Sequence, residues 1–276
     1  MKKLILTVSA ITGLLLSQTS SAAYPEKSIR LVVPFATGGT SEIVARSVAN
    51  SLSTSLGQSV YVDNKPGGAG NIAMEEVKRA NPDGYTLILG HVGTLAVNPA
   101  LFGSKLPYDP NKDFAPVTLV AKVPNVIAVS SKSSYKTLAD LVADAKKNPG
   151  KINYGSAGNG SAGHLAMEYF SAVAGIDLVH VPYKGSGPML TDLIGGQIQA
   201  TFNGLPSLMG QISGGALRPL AVGSAERSKV LPNVPTIAES GYKGFETSQW
   251  YGIMAPAGTP KPIIDRLQKE IAKSLK

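Results

Sequence analysis

The backbone and side-chain groups best suited to bind a ligand or to do chemistry lie in three glycine-rich turns. These turns are at residues 34–42 (PFATGGTSE), 65–71 (KPGGAGN) and 155–164 (GSAGNGSAGH). Each turn follows an apolar, strand-like run and precedes a segment with helical spacing. Glycines adopt backbone conformations that other residues resist, and Thr40 or Ser41 can cap the next helix. Because a helix start carries free N–H groups and positive potential, each turn could hold a phosphate or a carboxylate. One such turn could be simple strand–helix punctuation, but three of them favour a shared anion site.

Two of these turns also fit the glycine pattern of dinucleotide-binding folds. Residues 158–163 read GNGSAG and residues 68–73 read GAGNIA, and both stretches follow predicted strands. Neither stretch has an acidic residue about twenty positions further on, where a ribose would be held, and Asp177 comes too early. The sequence therefore does not favour a nucleotide site.

Ser161 and His164 are the side chains that could be imagined as a nucleophile and its base. The chain has three histidines, His91, His164 and His180, none of them at the spacing of a metal site, and it has no cysteine. No serine lies in a G-x-S-x-G elbow. At the start of a helix, His164 is better placed to cap or to donate to a ligand than to activate Ser161. We expect no enzyme activity, no cofactor and no metal, with a secreted carboxylate-ester hydrolase using this pair as an alternative.

The composition describes a folded, mildly basic protein. Of 276 residues, 43% are hydrophobic and 16% are charged, which is enough apolar material for a sizeable core. The formal net charge is +8, but no stretch concentrates Lys and Arg with aromatic residues. This excess suits an anionic ligand or has no specific role, and it does not indicate nucleic acid.

Residues 1–23 have the pattern of a secretory signal peptide. Lys2 and Lys3 precede an apolar run at 4–16, and small residues at 21–23 predict cleavage before Tyr24. The run is shorter than the ~20 residues of a membrane-spanning helix. The mature chain is expected in the bacterial periplasm.

Strand-like runs alternate with helical spacing along the rest of the chain. The runs lie at 29–34, 60–63, 85–89, 117–129, 152–155, 178–181, 198–202, 217–222 and 251–255. This alternation predicts an α/β fold with largely parallel sheets. The long run at 117–129, broken by Pro124, predicts a crossing between two lobes, and 217–222 predicts the return. The predicted lobes are therefore 24–123 plus 223–276 and 124–222.

Several motifs, in order along the chain, carry a resemblance to a known family. They include IRLVVPF at 29–35, VDNKPGGAG at 62–70, DGYTL at 83–87, HVPYKG at 180–185 and APAGTP at 255–260. Together they resemble the periplasmic solute-binding proteins of tripartite tricarboxylate transporters, also called Bug receptors, over nearly all of the mature chain.

The resemblance implies a two-lobed type II periplasmic-binding-protein fold whose cleft closes on a small organic carboxylate, such as a di- or tricarboxylate or an aromatic acid. It implies a monomer that delivers this ligand to membrane permease subunits; docking on a membrane sensor is an alternative. The ligand-binding residues that it implies are Phe35, Thr37, Gly38, Gly39, Thr40, Ser41, Gly68, Ala69, His91, Ser156, Ala157, Gly160, Ser161, His164, Tyr183 and Asn203.

The sequence departs from the family pattern at three places. Thr37 precedes the two glycines where the family usually has proline, and Glu42 replaces an aspartate. Asn203 stands where an acid often meets a ligand's amino group, which disfavours an amino-acid ligand. The chain stops at Lys276 inside a helical pattern, earlier than family members usually end, which predicts a fragment or a product with exposed apolar surface.

Overall fold

The computed structural model describes residues 24–275, and the predicted signal peptide lies outside them. The strands are β1 (Ile29–Val33), β2 (Val60–Asn64), β3 (Thr86–His91), β4 (Phe114–Ser130), β5 (Asn153–Ser156), β6 (Val179–Pro182), β7 (Ala200–Gly204), β8 (Leu217–Val222) and β9 (Ser248–Pro256). The α-helices are α1 (Thr40–Leu56), α2 (Asn71–Lys78), α3 (Asn98–Phe102), α4 (Leu138–Lys147), α5 (Ala162–Ala174), α6 (Ser186–Gly195), α7 (Leu205–Ser213) and α8 (Lys261–Ser274). Each of the nine predicted strands is present.

The fold is α/β and two-lobed. We call β1, β2, β3, β9 and residues 114–124 of β4, with α1–α3 and α8, the first lobe. The second lobe contains residues 125–130 of β4, strands β5–β8 and helices α4–α7. The sheet order is β2-β1-β3-β9-β4 in the first lobe, and β4 continues through β7 and β5 to β6 in the second, with β8 on its other side.

The prediction of largely parallel sheets is wrong. Strand β1 is parallel to β2 and β3, and β5 is parallel to β6 and β7. The pairings of β9 with β3 and of β4 with β7, β8 and β9 are all antiparallel. The long β4 and its partner β9 run against the βαβ units of both lobes, so each lobe has a mixed sheet.

The chain crosses between the lobes in the middle of β4. Its residues up to Pro124 pair with β9, and its residues from Asn125 onward pair with β7 and β8. This point lies within residues 117–129, where the apolar run predicts a crossing.

The predicted return crossing at 217–222 is wrong, because these residues form β8 and pair with the second-lobe half of β4. The chain returns at Thr247, whose N–H donates to the carbonyl of Gly223 at 2.7 Å immediately before β9 begins. Residues 223–247, predicted in the first lobe, pack on the second instead. Ile237 and Phe245 are buried in its core, which holds the segment there.

Each lobe has helices on both faces of its sheet. In the first lobe, α1 and α8 cover one face and α2 the other; in the second, α4 and α5 lie opposite α6 and α7. Helix α1 shows how the sequence produces this arrangement: Ala45, Val48 and Leu52 recur at helical spacing and are buried, and Gly57, at a φ of 67°, ends the helix. Since helices α1, α5 and α6 follow the carboxyl ends of parallel strands, their starts lie at the edges where α/β proteins bind ligands.

Candidate functional site

The starts of helices α1, α5 and α6 meet at a narrow cavity between the two lobes. Its lining residues are Phe35, Ala36, Gly39, Thr40, Ser41, His91, Ala157, Ser161, Ala162, Gly163, Ser186, Asn203, Gln249 and Tyr251. None of these described lining residues carries a charged side chain. The N-caps of α1 and α6 are Gly39 and Gly185, which have no capping side chain, so first-turn N–H groups stay available. The cavity is therefore suited to an anion bound by helix starts.

Two serine hydroxyls in the narrow cavity are held so that they can donate. Ser161 Oγ accepts a hydrogen bond from the backbone N–H of His164 at 3.3 Å, which leaves the hydroxyl hydrogen free. Ser186 Oγ accepts from the Asn203 side-chain amide at 3.0 Å, and the Asn203 carbonyl oxygen accepts from the N–H of Gly204 at 2.9 Å. Asn203 thus holds Ser186 in the wall of the narrow cavity.

His91 is a neutral imidazole in the wall of the narrow cavity. Burial lowers its pKa from 6.5 to about 4, since a charged ring would lose its hydration there. The backbone N–H of Thr94 donates to Nδ1 at 3.0 Å. Phe35 lies against the ring, with 4.6 Å between the ring centroids.

The narrow cavity also contacts the two crossings between the lobes. Gln249, at the start of β9, donates from Nε2 to the side-chain oxygen of Asn125 on β4 at 2.5 Å. The Tyr251 hydroxyl donates to the other side of the Gln249 amide, and burial raises the pKa of Tyr251. The wall of the cavity therefore includes Gln249, which joins the two crossing strands.

A second, wide cavity continues from the narrow one. Phe35, Ala36 and Ala157 line both spaces. Lys184 is the charged side chain among the described residues that line the wide cavity. Tyr183 forms part of the same wall and donates to the Asp192 carboxylate at 2.6 Å; burial and that carboxylate raise its pKa to about 12. The wide cavity can take the far end of a ligand whose charged head lies in the narrow one.

Glu42 holds the first glycine turn. Its Oε2 accepts from the N–H of Gly38 at 2.6 Å, and its Oε1 lies 2.6 Å from the Arg46 guanidinium. The longer acid therefore reaches back over one helical turn, and the N–H of Gly38 is already used. Thr37 and Gly38, both predicted to bind ligand, line neither cavity.

Two histidines, His164 and His180, form hydrogen bonds that hold the glycine-rich turn at residues 155–164. Ser156 Oγ lies 2.7 Å from His180 Nε2, and the N–H of Gly160 donates to His164 Nδ1 at 3.2 Å. The two imidazoles stack with 4.0 Å between centroids. Burial, with a smaller contribution from the neighbouring His164, lowers the pKa of His180 to about 4. Ser156 and His164 hold the turn and line neither cavity.

Most of the residues predicted from sequence do surround the cleft. Those in the narrow cavity are Phe35, Gly39, Thr40, Ser41, His91, Ala157, Ser161 and Asn203; those in the wide one are Phe35, Gly68, Ala69, Ala157 and Tyr183. Gly160 lines neither space but lies between the lobes, where a Cβ would be 2.6 Å from that of Ala69.

Three residues that line the narrow cavity lie outside both the predicted site residues and the three glycine turns. Ser186 follows Gly185 after β6, and this fourth strand–glycine–helix turn was a signal that could have identified it. Gln249 and Tyr251 alternate along β9, and nothing in their local sequence separates them from ordinary core positions.

The hydrolase alternative has no support in this geometry. Ser161 Oγ contacts the backbone N–H of His164, whereas the His164 ring accepts from Gly160. No nucleophile–base hydrogen bond joins the two side chains. Ser156 does contact an imidazole, that of His180, but Ser156 is fully buried and lines neither cavity.

A family model described as tripartite tricarboxylate transporter family receptor matches residues 44–276. The chain belongs to this receptor family. Among curated relatives, the protein BugT of Bordetella pertussis is 37% identical over 272 residues, which cover 98% of this chain and 83% of BugT.

Two solved structures that are similar to this chain were determined with carboxylates. An R. palustris protein with adipate is 42% identical and has a TM-score of 0.87. The match covers 90% of this chain and 83% of the R. palustris chain. MatC from Rhodopseudomonas palustris, with bound malate, is 33% identical and has a TM-score of 0.86. The match covers 91% of this chain and 85% of the MatC chain. Within residues 24–275, this chain has no helix long and apolar enough to cross a membrane.

Proposed function

We propose that this protein is a periplasmic receptor that binds a small organic carboxylate between its lobes and delivers it to the permease of a tripartite transporter. The observation that carries the proposal is the convergence of three helix starts on one uncharged cavity between the lobes. Family membership and the adipate- and malate-bound neighbours support it.

The ligand's carboxylate head would occupy the narrow cavity. First-turn N–H groups of α1, α5 and α6 would donate to it, together with the hydroxyls of Ser161 and Ser186. Hydrogen bonds to an ionised group are strong when water is excluded, so these donors can replace the hydration of the carboxylate without a lysine or arginine.

Binding would favour the closed arrangement of the lobes, because both lobes contribute donors to one head group. The lobes already approach closely: Thr40 Oγ1 lies 3.4 Å from the carbonyl oxygen of Gly204, and a Cβ on Gly185 would lie 3.1 Å from that of Ala36. A ligand that bridges them adds contacts that exist only in the closed state.

The far end of the ligand would extend past Phe35 into the wide cavity, toward Lys184. A di- or tricarboxylate would place its second charge there, and an aromatic acid would place its ring there. No carboxylate lines the described part of the narrow cavity, and both ends of the Asn203 amide are engaged. An amino-acid ligand is therefore disfavoured.

The proposal includes export, binding without turnover, and a permease as the partner. Cell fractionation of the full-length protein tests the location. Uptake of a labelled acid by cells lacking the protein, restored by the wild type, tests delivery. Binding without any effect on uptake would instead indicate a sensor partner.

Ser161→Ala tests the site itself by calorimetry with succinate, malate and adipate. We expect a loss of about tenfold or more in affinity, since a hydrogen bond to a charged group contributes about 1.5–3 kcal/mol. The variant also loses a helix N-cap, which costs about 1 kcal/mol of stability. Thr137→Ala, which removes the N-cap of α4 away from the cleft, is the matched control. Equal affinity of Ser161→Ala and Thr137→Ala would reject the site.

A further inference from the structure

His91 has a buried polar atom with no hydrogen-bond partner in the described residues. The side chain is 1% exposed, lines the narrow cavity, and leaves Nε2 unpaired. A buried polar group without a partner costs free energy, and such groups in native proteins call for an explanation. The nearest aromatic rings are those of Phe35 and Tyr251, at centroid distances of 4.6 and 6.3 Å from the imidazole.

The contacts of His91 determine which of its nitrogens carries the proton. The backbone N–H of Thr94 points at Nδ1 from 3.0 Å, and a backbone N–H can only donate. Nδ1 must therefore present its lone pair. In a neutral ring the single proton then sits on Nε2, which is a donor.

We propose that the Nε2–H of His91 is a specificity-determining donor that binds an acceptor oxygen of the ligand. This inference rests on the proposed function, because the ligand is the acid that enters the narrow cavity. The oxygen belongs either to the head carboxylate or to a hydroxyl beside it. In both cases the ligand satisfies the donor that the protein leaves unpaired.

The same contacts exclude an ammonium group from that position. To accept a hydrogen bond from an ammonium, Nε2 would have to lose its proton to Nδ1, and the bond from Thr94 would be lost. The ring therefore selects for an acceptor, and the 2-amino analogue of an acid would place one donor against another.

Calorimetry with succinate, L-malate and L-aspartate on the wild type, His91→Leu, His91→Gln and Ser171→Ala tests the inference. Ser171→Ala is the matched control, because Ser171 Oγ is another buried, unpaired polar atom and lies outside both cavities. We expect the wild type to bind L-aspartate at least tenfold more weakly than L-malate. His91→Leu should lose about tenfold or more in affinity for its acid, whereas His91→Gln, which keeps a donor, should lose less. Ser171→Ala should bind like the wild type.

The pair of acids identifies which oxygen is bound. An equal loss for succinate and L-malate in His91→Leu indicates the carboxylate, and a loss for L-malate alone indicates the hydroxyl. In the wild-type protein, the ¹H–¹⁵N signal of the His91 Nε2–H should shift on saturation, a readout that does not depend on the folding of any variant.

Three results would overturn the inference. Unchanged affinity in a folded His91→Leu variant, an Nε2–H signal that does not respond to a bound acid, or proton density on Nδ1 would each reject the donor role. Failure of the wild type to bind any organic acid would overturn the proposed function itself and this inference with it.

Discussion

Acidification from pH 7.5 to pH 5.0 should destabilise the ligand-free protein through His91. Its folded pKa is about 4 against 6.5 in the unfolded chain, because the buried ring cannot be hydrated when charged. A lowered folded pKa means that the unfolded state binds the proton more readily. The stability due to neutral His91 is therefore fully present above pH 6.5 and is lost as the pH falls toward 4.

Linkage between proton binding and folding gives the size of this effect. At pH 5.0 nearly all of the unfolded chains but only about a tenth of the folded ones carry the proton on His91. The free energy of unfolding should then fall by about 2 kcal/mol between pH 7.5 and pH 5.0 from this residue alone. Thr94, Phe35 and Tyr251 surround the ring and carry no charge in this range, so no neighbour offsets the loss.

Urea unfolding of the wild type and of His91→Gln at both pH values isolates the contribution. His164 and His180 titrate in both proteins, so their effects cancel in the difference between the two pH-dependent losses. We expect the loss to be about 2 kcal/mol smaller in His91→Gln, with unchanged slopes against urea. Equal losses in the two proteins would refute the description of His91 as a buried, neutral imidazole.

Three other perturbations test separate parts of the structure. Gly160→Ala should weaken binding of malate or adipate at least tenfold and leave a larger radius of gyration with ligand present. The reason is that the new Cβ would lie 2.6 Å from that of Ala69, at a φ of +71°. A compact variant that binds tightly would contradict this. Glu42→Gln should lower affinity without unfolding the protein, since the first glycine turn loses the carboxylate that binds Gly38 N–H, and calorimetry at equal ligand excess measures it. Leu52→Ala should lower the free energy of unfolding by about 2–5 kcal/mol in urea titrations while affinity stays the same, because this buried side chain lies in the first-lobe core away from the cleft.

The sequence by itself determined the elements and the local chemistry of the turns. All nine strands were predicted from their apolar runs, and the starts of α1 and α5 were predicted from the turns before them. These features depend on residues within a few positions of one another: α1 begins at Thr40 because a strand and two glycines precede it. The expected cap by Thr40 or Ser41 is wrong, because the N-cap is Gly39 and no side chain caps this helix. The resemblance supplied the family, which the family model confirms.

The tertiary structure determined which groups meet and which are already occupied. Residues 223–247 follow the second lobe because Ile237 and Phe245 are buried there, and no local pattern distinguishes that core from the other. Glu42 takes the N–H of Gly38, so a turn that looked free in the sequence is partly used. Gln249 reaches the cavity through a pairing with a strand more than a hundred residues away. Helix starts and strands arise from short-range geometry, so local sequence patterns predict them. The cleft depends on many long-range contacts, and no single one of them produces a recognisable local sequence pattern.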